Sequence, residues 1–217
     1  MRDVMRLRAG SEITLFDESG MEYSGRIRSL EPPSAVVEIV STQARAESPA
    51  RLILAAAIIK GPRMDFLVEK AVELGADELW PLVCARSVVR KVGAERLARW
   101  RRLTIAAAKQ SLASRTTEVR ALAAIADLIG RHEAGRLCVV LRAGAPALGG
   151  FLQSARPRTL LLVVGPEGDF TDEEFESLRA AGFLAAGLGA RRLRSETAAL
   201  AALAIAAGAL ETADREG

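Results

Sequence analysis

The sequence predicts an α/β fold in which helices cover both faces of a mainly parallel sheet, with a small unit of short strands before it. From residue 51 onward, apolar runs alternate with helical segments, which is typical of a parallel sheet. Several of those runs are wholly apolar, as strands buried on both faces are. Residues 1–46 contain shorter alternating segments separated by turns, which favours a small β-barrel or curled sheet.

The composition indicates a globular protein of one medium domain with a small addition. Half of the 217 residues are hydrophobic and 26% are charged, so the chain can form a core. The N-terminus has no signal-peptide core, and the apolar run 198–210 is too short to span a bilayer. Cys84 and Cys138 have no CxxC pattern and no neighbouring His, so we expect buried, reduced thiols. We therefore expect a cytoplasmic protein with no membrane segment and no metal site.

The first 46 residues are predicted to form three short strands. They lie near residues 13–16, 23–28 and 35–40. Three strands form a poor core on their own, so this barrel either leans on the rest of the chain or lacks a part. The polar segment 42–50, which contains Ser48 and Pro49, is predicted to be a linker.

The larger domain is predicted to contain five strands and four helices. The strands lie at residues 51–59, 78–83, 137–141, 159–164 and 183–188. The helices lie at residues 64–74, 95–113 and 171–181, and the last begins near residue 196. Gly75 and Gly182 are expected to end the first and third helices, and Thr171 with Glu174 forms a capping box. The second helix has outward cations that a solvated face explains without a ligand, namely Arg96, Arg99, Arg102 and Lys109.

Two polar loops, at residues 165–170 and 189–198, each follow a predicted strand. Loops at the carboxyl ends of parallel strands face a common crevice, so a ligand site is expected between them. The glycines of the first loop can expose backbone amides to a polar ligand, and Glu167 adds a carboxylate. This loop lacks the Gly-Lys-Ser/Thr of a Walker motif, and a plain tight turn is the competing interpretation.

The second loop carries Arg191, Arg192 and Arg194, followed by Glu196 and Thr197 at the start of a helix. Capping of that helix and its dipole could explain Glu196 and Thr197 without any function. Three arginines beside a strand end nevertheless suit an anionic ligand or developing negative charge. The sequence contains no Ser/His/Asp or Cys/His set, and its one His, in a predicted surface connection, is not assigned a role.

Together, residues 162–170 and 188–198 resemble the paired signature of the RsmE family, the 16S ribosomal RNA uridine N3-methyltransferases of the SPOUT class. Further similar segments occur at residues 60–65, 69–75, 86–89, 99–102 and 106–111. The resemblance covers most of residues 51–210, and the combination of the two loops is specific to this family.

The resemblance implies both a fold and an activity. Residues 51–217 would form a SPOUT methyltransferase domain with a C-terminal trefoil knot, and residues 1–46 a PUA-like β-barrel that binds RNA. The expected reaction is methylation of N3 of a uridine in 16S ribosomal RNA of the small ribosomal subunit, with S-adenosylmethionine as the methyl donor. A homodimer is also implied.

The motif match assigns roles to particular residues. The residues expected to bind the cofactor are Leu141, Gly165, Pro166, Glu167, Gly168, Leu188, Gly189, Leu193, Arg194, Thr197 and Ala198. Arg194 is expected to stabilise the uridine as its N3 proton leaves, and Glu196 or Glu167 to position or accept that proton. The residues expected to contact RNA are Arg6, Arg8, Arg63, Arg86, Lys109, Arg115 and Arg191.

Three departures from the family pattern leave an alternative open. Asp169 stands where the family loop ends in a second glycine, and Leu112 and Ala113 replace a Gly-Arg pair. The match begins near Val4, so the first strand of the barrel is expected to be absent, because either the start is truncated or the domain is reduced. The alternative is a knotted dimer that binds RNA or the ribosome with reduced or no methyltransferase activity. A different nucleotide-binding enzyme would fit the α/β pattern but leaves the paired loops unexplained.

Overall fold

The computed structural model describes residues 7–16, 21–31, 33–44, 50–111, 113, 115–131 and 133–215, without the side chains of residues 44 and 211–215. The chain divides into two compact units, Met1–Glu47 and Ser48–Gly217.

The first unit contains an antiparallel sheet of three strands in the order β1-β2-β3. The strands are β1 (Glu12–Phe16), β2 (Met21–Glu31) and β3 (Ser34–Ala44). Gly25 of β2 lies so close to β3 that a Cβ atom there would be 2.6 Å from the Val37 side chain. The three predicted strands are confirmed, but the prediction of a linker from residue 42 is wrong at its start. Ala44 still pairs with Met21, so strand pairing continues to that residue.

The second unit is built on a seven-stranded sheet in which every pairing that the structure describes is parallel. Its order is β10-β8-β9-β4-β5-β6, and β7 also pairs with β5. The strands are β4 (Arg51–Ala57), β5 (Glu78–Val83), β6 (Glu118–Val119), β7 (Ala123–Ala124), β8 (Arg136–Leu141), β9 (Thr159–Val164) and β10 (Leu184–Ala186). The predicted parallel sheet is confirmed.

Helices cover both faces of this sheet, as predicted. They are α1 (Pro62–Glu73), α2 (Ala94–Ser111), α3 (Ile125–Gly130), α4 (Leu148–Ala155), α5 (Asp172–Ala180) and α6 (Ser195–Arg215). Because side chains alternate along a strand, Leu52 and Leu54 of β4 join one core with α1, α2, α4 and α6. Ile53 and Ala55 point to the other core, against α3 and α5.

The helix ends follow from local chemistry. Gly75 and Gly182 have φ of 78° and 90°, the left-handed conformation that commonly ends a helix. At the start of α5, the Thr171 hydroxyl accepts a hydrogen bond from the Glu174 amide at 3.1 Å, and the Glu174 carboxylate accepts one from the Thr171 amide at 3.0 Å. Both glycine stops and the capping box are therefore confirmed.

Four short elements, β6, β7, α3 and α4, are absent from the sequence prediction. Two-residue strands and helices of six or eight residues are too short to produce a clear periodicity. In contrast, β10 is shorter than predicted because its pairing with β8 ends at Ala186 and Leu141.

A charged network occupies the edge of the sheet where the parallel strands begin. Glu78, at the start of β5, is 2% exposed and forms ion pairs with Arg51 and Arg120. Its carboxylate also accepts a hydrogen bond from the Trp80 indole at 2.8 Å. Burial raises the pKa of Glu78, but hydrogen bonds from Arg120 and Trp80 and the charge of Arg51 outweigh it, so this pKa lies below its ordinary value.

Candidate active site

A cavity of about 460 Å³ lies where β8, β9 and β10 end. Its walls come from the residues that directly follow these three neighbouring strands and from the start of α6. Leu141, Val164, Leu188 and Leu193 supply apolar surface, while Glu167 and several backbone groups supply polar surface. The volume falls within the range of roughly 300–1,000 Å³ that small-molecule sites occupy.

The first loop, residues 165–170, has a tightly constrained backbone. A Cβ atom at Gly165 would be 2.9 Å from the Phe170 ring, so the buried ring requires glycine at this position. The Asp169 amide donates a hydrogen bond to the Pro166 carbonyl at 2.9 Å, which closes a turn. The Arg86 guanidinium donates to the carbonyls of Gly168 and Phe170 at 2.9 and 3.2 Å, respectively.

Residues 187 and 188, which lead into the second loop, run alongside the segment that follows β8, and Gly187 pairs in parallel with Ala147. A Cβ atom at Gly187 would be 2.5 Å from the Ala145 carbonyl oxygen. The Gly187 amide donates a hydrogen bond to the Pro146 carbonyl at 2.7 Å, and the Leu148 amide donates to the Gly187 carbonyl at 3.0 Å. Gly189 adopts φ of 98°, a conformation that side-chain-bearing residues avoid. The loop is therefore fixed against its neighbour by backbone contacts.

An arginine from a third segment connects the two loops. Arg63, in the first turn of α1, lies 2.7 Å from Glu167 Oε1 and 3.5 Å from Glu196 Oε1. Glu196 is 8% exposed, and its Oε2 atom is buried without a hydrogen-bond partner. An orphaned buried oxygen of this kind is uncommon in folded proteins and fits a site that a ligand completes.

A second ion-pair network forms another part of the cavity wall. The Arg142 guanidinium lies 3.3 Å from Asp169 Oδ2 and 3.4 Å from Asp172 Oδ1. It also lies over the Phe175 ring, 4.6 Å from the centroid. Asp169 has φ of 61°, which is rare outside glycine, and its Oδ1 atom accepts a hydrogen bond from the Phe170 amide at 2.8 Å.

The arginines of the second loop are exposed. Arg191 and Arg192 line the cavity, whereas Arg194 does not. Among the described residues, none forms an ion pair or a side-chain hydrogen bond with Arg194, so its exposed guanidinium can reach an incoming group.

Comparison with known families identifies the chain. A model of the RNA methyltransferase domain matches residues 46–207, and a model of the RNA methyltransferase PUA domain matches residues 1–40. The Ribosomal RNA small subunit methyltransferase E of Bacillus subtilis is 30% identical over 212 residues, which cover 93% of this chain and 83% of that protein. The chain belongs to this methyltransferase E family, RsmE. The resemblance inferred from the paired loops is therefore confirmed.

Other RsmE proteins extend the similarity. The Ribosomal RNA small subunit methyltransferase E of Synechocystis is 33% identical over 210 residues, covering 94% of this chain and 68% of that protein. The crystal structure of the same enzyme from Neisseria gonorrhoeae, solved bound to S-adenosyl methionine, superimposes with a TM-score of 0.84 at 35% identity. That match covers 94% of this chain and 85% of the Neisseria chain.

The structure brings most of the cofactor residues expected from the RsmE resemblance to one cavity. Those that line it are Leu141, Gly165, Pro166, Glu167, Leu188, Gly189, Leu193 and Ala198. Gly168, Arg194 and Thr197 lie next to lining residues but outside the lining itself. Of the expected catalytic residues, Glu167 lines the cavity and Glu196 lies beside its lining residue Ser195. The catalytic roles of Glu167, Glu196 and Arg194 remain predictions.

The residues expected to contact RNA lie in several separate segments of the chain. Arg63 and Arg86 are engaged with the two loops, and Arg191 lines the cavity. Lys109 is exposed in the last turn of α2, and Arg8 is exposed in the first unit. Arg115 has an electrostatic interaction with Asp77, which precedes β5 at the edge of the sheet opposite the cavity. Arg6 lies outside the described residues.

Several residues that line the cavity were not among the site residues predicted from the sequence. Two of them, Arg142 and Ala143, follow β8, and the wall is also lined by Asp169, Ala190, Arg192 and Ser195. The crevice rule gives a signal for Arg142, because this residue directly follows an apolar strand that neighbours β9. No sequence signal predicted the ion pairs of Arg63 with Glu167 and Glu196, because the three residues lie far apart in the chain.

The structure also bears on the cysteines, on metal binding and on membrane-spanning helices. Cys84 and Cys138 are free and buried, as predicted, and burial raises the pKa of their thiols to about 12 and about 11, respectively. Within the described residues, no group of three or more His, Cys, Asp or Glu side chains is arranged to hold a metal ion. None of the described helices has both the length and the apolar character needed to cross a membrane.

Proposed function

We propose that this chain methylates N3 of a uridine in 16S ribosomal RNA of the small ribosomal subunit, with S-adenosylmethionine as the methyl donor. The observation that carries the proposal is the cavity at the ends of β8, β9 and β10, which lies within the match to the RNA methyltransferase domain. A family member with the same fold has been solved with S-adenosyl methionine bound.

The residues of the cavity fit this cofactor. Apolar side chains from both loops and α6 can enclose its hydrophobic parts and exclude water, while backbone amides of the first loop can hold its polar groups. Glu167 supplies an acceptor in the cavity wall, and the unpartnered Glu196 Oε2 belongs to the residue next to the lining residue Ser195. When bound, the cofactor supplies an electrophilic methyl group, and the protein supplies alignment and charge.

The charged side chains support the proton chemistry that uridine requires. N3 of uridine becomes a nucleophile only when its proton leaves, and negative charge then spreads onto the base. The exposed Arg194 guanidinium remains charged and can stabilise that negative charge. Glu196 Oε2 is free to position or accept the departing proton, and Glu167 is the second candidate.

We further propose the domain roles and the knot that the RsmE resemblance implies. Residues 1–46 would bind RNA through a PUA-like barrel, and residues 51–217 would form the catalytic domain. We propose a cytoplasmic location because the substrate is ribosomal RNA.

A homodimer formed through α6 is also part of the proposal. One face of this helix packs into the core of its own subunit through Ala199, Ala202, Leu203 and Ala206. The opposite face exposes Thr197, Ala204, Ile205 and Gly208. These mostly small side chains would allow a second helix to approach closely.

Methyl transfer to purified substrates tests the reaction. The protein is incubated with methyl-labelled S-adenosylmethionine and either free 16S ribosomal RNA or assembled small subunits, and the RNA is then digested for mass spectrometry. We expect label in N3-methyluridine with at least one substrate. Label in a different nucleoside would contradict the proposed position, and RNA binding without incorporation would support the alternative of an inactive binding dimer.

A further inference from the structure

We propose that Arg63 is a positioning residue, which holds the carboxylates of Glu167 and Glu196 and thereby couples the two cavity loops, rather than an RNA contact. This inference rests on the proposed function, because it assigns Arg63 a role in preparing that same site. It also revises the expectation from the sequence that Arg63 contacts RNA.

The geometry places Arg63 between two segments that lie far apart in the chain. Gly61 has φ of 72° and Pro62 is the first residue of α1, so the backbone that presents Arg63 is fixed. One terminal nitrogen lies 2.7 Å from Glu167 Oε1 in the first loop. The other lies 3.5 Å from Glu196 Oε1 at the start of α6.

The environment makes this connection important for Glu196 in particular. The Glu196 side chain is 11% exposed, whereas those of Arg63 and Glu167 are each 38% exposed. A buried carboxylate needs a cation or hydrogen-bond donors to offset its loss of hydration. Arg63 provides that charge at Oε1, which leaves the unpartnered Oε2 for a donor on a bound molecule.

The same contacts make Arg63 a poor ligand for RNA phosphate. Both of its terminal nitrogens face carboxylates, and the hydrogen bond to Glu167 is the main reason that the pKa of Arg63 is raised. One positive charge is set against two negative charges, so the cluster as a whole does not attract an anion. In contrast, Arg194 has no side-chain partner among the described residues, so its positive charge is not offset by a carboxylate.

The shape of the arginine side chain suits this role. Its planar guanidinium presents several donors in a fixed fork, so it can face two carboxylates at once. Lysine offers one compact charge on a flexible stem and would hold only one of them well. Arg63→Lys should therefore restore part of the coupling that Arg63→Gln removes.

Hydrogen exchange on the protein without cofactor tests the coupling directly. We expect Arg63→Gln to speed amide exchange at least about tenfold in both residues 165–170 and residues 195–198, because each loses its common anchor. Arg63→Lys should fall between that variant and the unaltered protein. Arg99→Gln is the matched control, because it removes an arginine of α2 that pairs with Asp65, a residue on the same helix as Arg63. Unchanged exchange in both segments would overturn the proposal.

Binding measurements distinguish positioning from RNA contact. We expect Arg63→Gln to weaken S-adenosylmethionine binding and lower kcat at least about tenfold, with the salt dependence of RNA affinity unchanged. A salt slope reduced by about one, with cofactor affinity and kcat unchanged, would instead identify a phosphate contact and overturn the proposal. If Arg63→Gln does not fold, the same comparisons are made with Arg63→Lys.

The positioning role of Arg63 and the proposed methylation reaction can fail independently of each other. Loop exchange can respond to Arg63→Gln even if the unaltered protein transfers no methyl group. In that case the positioning role stands and the proposed reaction fails. If the unaltered protein methylates RNA but amide exchange in the two loops is unchanged in Arg63→Gln, the proposed reaction stands and this inference fails.

Discussion

The Asp169 carboxylate lies 3.3 Å from the Arg142 guanidinium, although Asp169 occupies a left-handed backbone conformation that favours glycine. Its side chain compensates for that conformation by accepting the Phe170 amide hydrogen bond and pairing with Arg142. This arrangement explains how the first loop keeps its shape where the family pattern has a second glycine.

We expect Asp169→Ala to lower the free energy of unfolding by about 1–3 kcal/mol, because alanine keeps the unfavourable φ and loses both side-chain contacts. Asp169→Gly should cost less, since glycine adopts this φ without strain. Urea unfolding measures both. Asp172→Ala is the control, because its exposed ion pair contributes only about 0–1 kcal/mol. Equal stability of the alanine and glycine variants would contradict this account.

Glu78 should make stability depend on acid pH. Its pKa is lower in the folded protein than in the unfolded chain, so its contribution is complete above about pH 4.3 and is lost as the pH falls through the folded value. Glu78→Gln should therefore destabilise by about 2 kcal/mol at pH 7 and by progressively less below about pH 4.3. Denaturant unfolding at several pH values measures this difference. A difference that stays constant down to about pH 3 would be inconsistent with the ion-pair network.

Glu118→Gln is the matched control for this experiment. Glu118 pairs with the same Arg120, but its side chain is 56% exposed. An exposed pair is screened by water, so we expect a change below about 1 kcal/mol with little dependence on pH.

Arg194→Ala should reduce methyl transfer without affecting the fold. Loss of one group that stabilises developing charge typically lowers kcat by about 100- to 1,000-fold. Because Arg194 is exposed, thermal unfolding should change little, and because it lies outside the cavity lining, contrary to the expected cofactor role, S-adenosylmethionine affinity should also change little. Arg179→Ala, an exposed arginine on α5, is the control and should retain activity. Full activity of Arg194→Ala would remove this residue from the proposed mechanism.

Ala204→Glu should separate the proposed dimer into monomers. Ala204 is exposed on the outward face of α6, so a carboxylate there would be buried without a partner in a close helix pair. Light scattering at micromolar concentration should give a dimer for the unaltered protein and a monomer for the variant. A monomeric unaltered protein would contradict the proposed assembly.

The sequence predicted the elements that have strong local signals. The apolar runs that became β4, β8 and β9 identified strands buried on both faces, residues 78–83 were predicted as the strand that became β5, and the capping box located the start of α5. The two loops could be placed together because carboxyl ends of parallel strands share one edge of the sheet.

The remaining features depend on tertiary contacts. Nothing in the local sequence around Arg63 indicates that its guanidinium meets Glu167 and Glu196, because the three residues lie far apart in the chain. Arg142 joined the cavity only through the position of β8 beside β9 and β10. The sequence alone does not distinguish an arginine or lysine that forms an ion pair within the protein from one that contacts RNA.

Calorimetric titration with S-adenosylmethionine tests the central claim most directly. We predict one binding site per chain in the unaltered protein. Ala198→Phe, which fills the cavity wall on α6, should weaken binding at least about tenfold while the circular dichroism spectrum remains that of the folded protein. No heat of binding to the folded, unaltered protein, or unchanged affinity in Ala198→Phe, would contradict the assignment of this cavity as the cofactor site.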